Sequence, residues 1–359
     1  MGVYIVRRML YGLAVLFGVV SLVFFLFTIL PGDPARMMLG QRADQDAVDN
    51  IRKELGLDKP VFLQYLLYLN DLSPLSVHRK TNTDSPWYYD QKKYSNSIQL
   101  IEIQEVALIL KSPWMRMSYQ SKRPVTAMIR EAFPKTLLLA GVSVALAFVI
   151  GIGLGFFAAV VNKPWMNRLV LIVTSLGMSA PSFFAAILMA YLFGFLLSDF
   201  TGLEMFGSLY EVDDYGRGAS LQLKNLILPA ITLGIRPLAI VTELTRTSLL
   251  DVIGMDYIRT AKAKGLSAKR VLGLHALRNA LNPVVTAVSG WFASLMAGAV
   301  FVEYVFDWKG IGMLIVDSLE KYDLPVIMGA VLLIAVILII INIFVDIVYG
   351  ILDPRIRLA

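Results

Sequence analysis

Long apolar runs alternate with short polar ones along the chain. Six of the runs, roughly 9–30, 135–161, 169–197, 225–249, 284–306 and 325–349, reach the ~20 residues that a helix needs to cross hydrocarbon. The pattern predicts an all-α integral membrane protein with six transmembrane helices. The first connection differs from the rest. Ala35–Leu55 reads as an amphipathic helix, Gly56 is placed to cap it, and Pro60 opens a second helix that runs to about residue 70. Residues 71–121 are polar and aromatic, with HRKTNTDSPWYYDQKKYSNS followed by the apolar IQEVALIL. They read as either a surface loop or a docking surface. No internal repeat or low-complexity tract is apparent.

Charge orients the spans. Arg7 and Arg8 precede the first, Lys163 and Arg168 flank the turn after the second, and Arg355 and Arg357 follow the last. The positive-inside rule assigns these segments, and so both termini, to the cytoplasm. The opposite loops are acidic. Asp199, Glu204, Glu211, Asp213 and Asp214 outnumber Arg217 and Lys224 in one, and Asp307, Asp317, Glu320 and Asp323 outnumber Lys309 and Lys321 in the other. This divides the chain into a tip and first span (1–30), an extracytoplasmic region (31–134) that includes the polar segment 71–121, a core of five helices (135–350) and a cytoplasmic tail (351–359).

The composition is 57% hydrophobic and 17% charged, with a mean hydropathy of +0.66. That is high for a soluble domain. A net charge of +6 would fit nucleic acid, but the basic residues adjoin apolar spans, so no nucleic-acid partner is expected and the bilayer is. The chain has no cysteine, which excludes disulfides, thiolate metal sites and cysteine nucleophiles. Residues 9–30 are too long and too continuously apolar for a cleaved signal core.

Between the fourth and fifth spans lies DYIRTAKAKGLSAKRVLGLHALRNALNP (256–283), with Arg259, Lys262, Lys264, Lys269, Arg270 and Arg278 against one acid, Asp256. Ala261 and Ala263 keep its front half slim, and Gly265 supplies a left-handed residue at which one short helix ends and another begins. Two readings follow from charge alone: an ordinary basic cytoplasmic loop, or a helix–turn–helix plug that fits a groove on a soluble partner.

The residue order resembles the coupling loop of binding-protein-dependent ABC transporter permeases, in the branch that imports peptides and nickel. That branch reads D-Y-[VI]-R-T-A-[RK]-A-K-G-L and then H-A-L-R-N-A-L-x-P. Asp256, Tyr257, Ile258, Arg259, Thr260, Ala261, Lys262, Ala263, Lys264, Gly265 and Leu266 match its first part, and His275 to Leu281 with Pro283 match its second. Arg259 and Thr260 depart from the general importer pattern, which opens Glu-Ala-Ala. The resemblance extends to RRML at 7–10, LPGDPA at 30–35, LGLDKP at 55–60, LPAITLG at 228–234 and DPRIR at 353–357.

The resemblance implies a type I ABC importer permease fold in a bacterial inner membrane, with the extracytoplasmic segment at about 71–121 as an insertion of a few tens of residues, since the family usually has a shorter connection after the first helix. It implies ATPase coupling through residues 251–282, with Asp256, Tyr257, Arg259, Thr260, Ala261, Lys262, Ala263, Lys264 and Gly265 as the contact. It also implies four kinds of partner: a second homologous permease, two cytoplasmic ATP-binding subunits, an extracytoplasmic solute-binding protein and the bilayer. The chain lacks the GxxxxGK[ST] phosphate loop, so it is expected to be no enzyme, to carry no cofactor and to leave ATP hydrolysis to a partner. A peptide-like cargo is favoured, with nickel or another small solute as the alternative, because two histidines and no cysteine offer a metal little. A self-sufficient secondary transporter would show inverted repeats, and a membrane hydrolase would place a histidine in a span; neither sign is evident.

GIGLG at 151–155 imitates a dinucleotide loop, but it lies inside an apolar span, where Gly151 and Gly155 form a small-xxx-small face for close helix packing. Pro181, mid-way along the third span, and Arg236–Pro237 in the fourth interrupt the apolar pattern. Proline at membrane depth frees a carbonyl that must face protein or water. Arg236 either faces an aqueous path, with Glu243 as its partner, or snorkels to the interface. Pro181, Arg236 and Glu243 are the candidate path residues, and Glu303 and Asp346 read as span-end groups.

Overall fold

A computed structural model of the chain describes residues 2–29, 35–36, 44–81, 85–91, 93–94, 97–161, 163–212 and 218–352. The expected LPGDPA and DPRIR segments lie mostly or wholly outside the described residues. The chain divides into two compact units, 1–131 with 314–336 and 132–313 with 337–359.

In the first unit, α1 (Gly2–Ile29) is predominantly apolar after Arg7 and Arg8 and carries no acid in its first turn. The amphipathic segment forms α2 (Gln45–Glu54), shorter than expected at its front; residues 37–43 lie outside the described residues. Gly56 ends it at φ 68°, with Gly56 N–H donating to Lys53 O at 3.1 Å and Leu57 N–H to Arg52 O at 2.8 Å. This pair of bonds satisfies the last carbonyls of the helix. Pro60 stands immediately before α3 (Val61–Leu72). Tyr65 and Tyr68 of α3 pack with Val20, Val23 and Phe24 of α1, and the Tyr65 hydroxyl meets Ser21 Oγ at 2.5 Å.

The insertion corrects its reading as a loop. Leu75–Arg79 (β1), Ser97–Ile103 (β2) and Val106–Lys111 (β3) form an antiparallel sheet in the order β1-β3-β2. Leu75 pairs with Leu110, and Ile103 with Val106 across a turn at Gln104, φ 54°. The alternation of this sheet is inverted in polarity. Ser76, His78 and Lys111 are buried beside Ala107 and Ile109, whereas Leu75, Val77, Ile103 and Leu110 are exposed.

Asp71 organises the buried side. Its Oδ1 accepts from Lys93 Nζ (2.9 Å) and the Tyr94 hydroxyl (2.7 Å), its Oδ2 from Arg116 Nε (3.3 Å), and its carbonyl from Lys111 Nζ (2.5 Å). Burial raises the Asp71 pKa, but Lys93 and Arg116 outweigh it and hold the carboxyl below its usual range. Burial, helped by Lys111 and Lys93, pushes His78 down to about 4. Asp323 accepts Ser118 Oγ at 2.5 Å and Tyr119 N–H at 2.9 Å, which fastens the 116–124 loop to the start of the last helix, α11 (Leu324–Leu352).

Among the described residues, Val6–Thr28, Val125–Val161, Leu223–Ile253 and Leu324–Val345 are long and apolar enough to cross a membrane. Val125–Val161 is α4; its helix begins ten residues before the apolar run at 135 and carries Pro134 inside. The third span is not one kinked helix. Pro164–Ser179 (α5) and Ser182–Met189 (α6), which continues through wider π turns to Leu196, meet at 107° around Ala180 and Pro181. Pro181 has no N–H, and the residue before a proline favours extended backbone; Ala180 adopts φ −65°, ψ 127°. Tyr210–Val212 (β4) and Ala219–Leu221 (β5) pair in the loop that follows. Then come α7 (Ile227–Ile253) and, after the basic segment with its helix α8 (Asp256–Ala263), the 28-residue α9 (Arg278–Val305) over the fifth expected span. The short α10 (Ile311–Glu320) precedes the last helix.

The second unit is held by close backbone approach. A Cβ added at Gly155 would lie 2.5 Å from Thr242 O, and one at Gly151 would lie 2.8 Å from Val241 Cγ1. The two glycines therefore form the small-residue seam where α4 meets α7. Without a hydrophobic drive between helices in lipid, such fit supplies the association.

Candidate functional site

The basic segment is built as two helices around a glycine. α8 ends at Ala263 with Lys264 as its cap, and Gly265 follows at φ 78°, a left-handed conformation that costs a side chain ~1–2 kcal/mol. Gly265 N–H donates to Lys262 O at 2.9 Å and Leu266 N–H to Ala261 O at 3.4 Å, so the turn closes the helix end as at Gly56. Ser267 then leads into Ala268–Arg270, the π turns of Val271–Leu277 and α9.

Ile258 and Ala261 point inward and pack with Leu249, Val252, Val271, Ala276 and Ala280, while Leu266 covers them. Of the residues expected to make the ATPase contact, Ala261 alone is buried, in the packed base of the plug. Asp256, Tyr257, Arg259, Thr260, Lys262, Ala263, Lys264 and Gly265 are all exposed. Arg259 approaches Asp256 at 3.5 Å on a solvated face, a pair worth little in water. The result is a helical knob with a dry base and a cationic outer surface.

The path residues are only partly brought together. Arg236 is exposed and Pro237 buried in α7. Among the described residues no ion pair joins Arg236 to Glu243. The two stand seven residues apart on one helix, ~10 Å along its axis, and Glu243 accepts instead from Thr174 Oγ1 of α5 at 3.4 Å. One turn further on, Arg246 Nε donates to Asn167 Oδ1 at 3.1 Å. Gly177 lies against Ile235 and Ala239, so the break at Pro181 follows directly after this contact.

Glu303, read from the sequence as a span-end group, stands near the end of α9, but its role there was not foreseen. It is fully buried, and its Oε2 accepts Gly312 N–H at 2.6 Å and Met313 N–H at 3.3 Å. It thus caps the first turn of α10, whose Ile311 N–H is taken by Thr136 Oγ1 at 2.8 Å. The one available signal was KGIG at 309–312, where glycine lets the helix start approach a carboxylate. Asp346 lies among residues whose side chains are not described.

The chain matches the family model described as binding-protein-dependent transport system inner membrane component over residues 151–358, and its N-terminal companion over residues 1–86. It is 35% identical over 354 residues to the glutathione transport system permease protein GsiC of Escherichia coli K12, covering 99% of this chain and 98% of that one. It is 31% identical over 369 residues to the dipeptide transport system permease protein DppB of Alkalihalophilus pseudofirmus, covering 99% of each. Among solved structures, the inward-facing MetNI methionine ABC transporter superposes with a TM-score of 0.50 at 16% identity, covering 64% of this chain and 97% of that one. That likeness concerns the fold, a type I ABC importer permease. The chain is a multi-pass inner-membrane protein and belongs to the family of binding-protein-dependent transport system inner membrane components.

Proposed function

We propose that the chain is the permease subunit of an ATP-driven importer that passes a peptide-like solute from an extracytoplasmic binding protein into the cytoplasm. The observation that carries this is the exposed knob at Asp256–Gly265, cationic outside and packed inside, on a chain without a nucleotide loop of its own. Full-length similarity to permeases named for glutathione and dipeptide transport supports the solute class. In this reading the knob seats in an ATP-binding subunit, two of which serve this chain and a second, homologous permease. Both termini and the knob face the cytoplasm, and residues 31–134 face outward. Closure of the ATP-binding subunits moves the knob and, through α7 and α9, switches the access of a path that passes Pro181, Arg236 and Glu243. Arg236 in lipid would cost at least ~2.5 kcal/mol, which favours an aqueous environment for it.

The test is recovery of partners. A tagged chain purified from its own membrane should bring down an ATP-binding subunit, and charge reversal at Lys262 and Lys264 should release it. Single cysteines at positions 85 and 265 should be labelled from outside by an impermeant thiol reagent only at 85. Retention of the ATPase by the charge-reversed chain, or outside labelling at 265, contradicts the reading.

A further inference from the structure

Two adjoining cavities in the first unit share Arg116. The larger, about 840 Å³, is lined by the end of α2, by α3 and by the 114–124 loop; the smaller, about 530 Å³, extends to Phe24 and Thr28 of α1 and to Leu324 and Met328 of the last helix. Either volume suffices for a short peptide. Lys53, Lys59, Lys93, Arg116 and Lys122 line the larger cavity against Glu54, Asp71 and Asp90. Asp71 is engaged by Lys93 and Arg116, and Glu54 by Lys122 at 3.0 Å. Among the described residues Lys53 and Lys59 are in no ion pair. The smaller cavity adds Asp49 and Arg52, paired at 3.2 Å, and Asp58.

Arg116 is held unusually. Its backbone is left-handed at φ 66°, as is that of Lys122 at φ 54°. Non-glycine residues persist in that region only where their surroundings fix them, and such residues cluster at functional sites. The surroundings are visible. Val125 N–H donates to Arg116 O at 3.1 Å, Met117 and Pro124 bridge, and Asp323 holds Ser118 and Tyr119. The guanidinium lies 5.2 Å over the Tyr68 ring and meets Asp71 through Nε alone. Its Nη1 and Nη2 make no hydrogen bond among the described residues, and the side chain keeps 27% of its surface exposed. A guanidinium with both terminal nitrogens available is the fork that takes a carboxylate in two parallel bonds. Trp114, Leu67 and Met117 give the same cavity an apolar wall.

We propose that Arg116 forms a carboxylate-recognition site on the outward face of the permease, taking the C-terminal carboxylate of a short peptide, with Lys53 and Lys59 adding long-range attraction. The proposal rests on the transport reading above, which places residues 31–134 outside and makes the solute peptide-like. It gives the permease a selective step of its own, after release from the binding protein and before passage.

The experiment measures binding of trialanine and of trialanine C-terminal amide to the full-length chain in nanodiscs at low salt. Trialanine should bind at least tenfold more tightly than its amide, since a charge-assisted fork is lost. Arg116→Lys, which keeps the charge but not the fork, should remove most of that preference. Lys53→Gln with Lys59→Gln, away from the Asp71 cluster, should weaken trialanine binding and flatten its salt dependence while sparing the preference. Equal affinity for the two peptides, or no binding of either, overturns the site. ATP-driven uptake of trialanine by the assembled transporter, observed alongside either result, leaves the transport reading standing and the carboxylate site alone refuted.

Discussion

The Asn279 side-chain amide donates to the Tyr257 hydroxyl at 2.9 Å and to His275 O at 3.2 Å. One residue thereby ties the outer surface of the knob to the first turn of α9, the contact through which the proposed reading would pass a push on the knob to that helix. Tyr257→Phe removes a single exposed bond worth ~1 kcal/mol and should leave folding intact. In the assembled transporter it should raise the ATP hydrolysed per solute imported. An unchanged ratio would show that the tie plays no part in coupling.

Gly265 sits at φ 78° with nothing within 4 Å of where a Cβ would stand. Substitution there acts through backbone strain and not through collision. Gly265→Val should cost ~1–2 kcal/mol locally, preserve membrane insertion and abolish or uncouple ATP-driven uptake, with Gly265→Ala intermediate. Normal uptake by the valine variant contradicts the turn's role.

Gly155 behaves in the opposite way, because a Cβ there meets Thr242 O and Thr245 Cβ within 2.7 Å. Gly155→Leu should force α4 from α7 and lower the yield of folded protein and its thermal midpoint. Gly153→Leu, two residues away with open space around it, is the matched control and should be nearly neutral. Equal loss from both would point to helix propensity instead of packing.

The insertion should weaken in acid. His78 titrates at about 4 when folded against 6.5 when free. Between those values the unfolded chain binds a proton that the folded one refuses. Its stabilising contribution is therefore whole above pH 6.5 and is lost as pH falls towards 4. Asp71, also lowered, acts in the same direction at lower pH. A variant retaining Trp114 as its only tryptophan should show a falling local unfolding temperature across pH 6.5 to 4, and His78→Gln should flatten that slope. A flat profile in the parent would contradict the buried neutral imidazole.

Much of this was legible in the sequence for simple reasons. Gly56 and Gly265 each follow a helix with no residue tolerant of positive φ nearby, so they marked their turns correctly. Gly151 and Gly155, four apart in an apolar run, marked a helix contact. The sheet was obscured because its polar alternate positions, Ser76 and His78, face inward around Asp71, an arrangement visible only once Lys93, Tyr94 and Arg116 are folded onto it. The break at Pro181 read as a kink because a one-dimensional apolar run carries no angle. Ala261 matched the loop pattern residue by residue, yet pattern alone does not say which face of a two-turn helix is buried. Glu303 was placed at a span end, where it lies, but its capping role was hidden because its partners are backbone N–H groups nine and ten residues away.

The most direct test of the central claim is uptake of a labelled short peptide into vesicles containing this permease, its partner permease, the ATP-binding subunits and the binding protein. The account expects accumulation that requires ATP and the binding protein together, and that is lost when Lys262 and Lys264 are reversed in charge. Accumulation driven by an ion gradient without ATP, or by the permease alone, would contradict it.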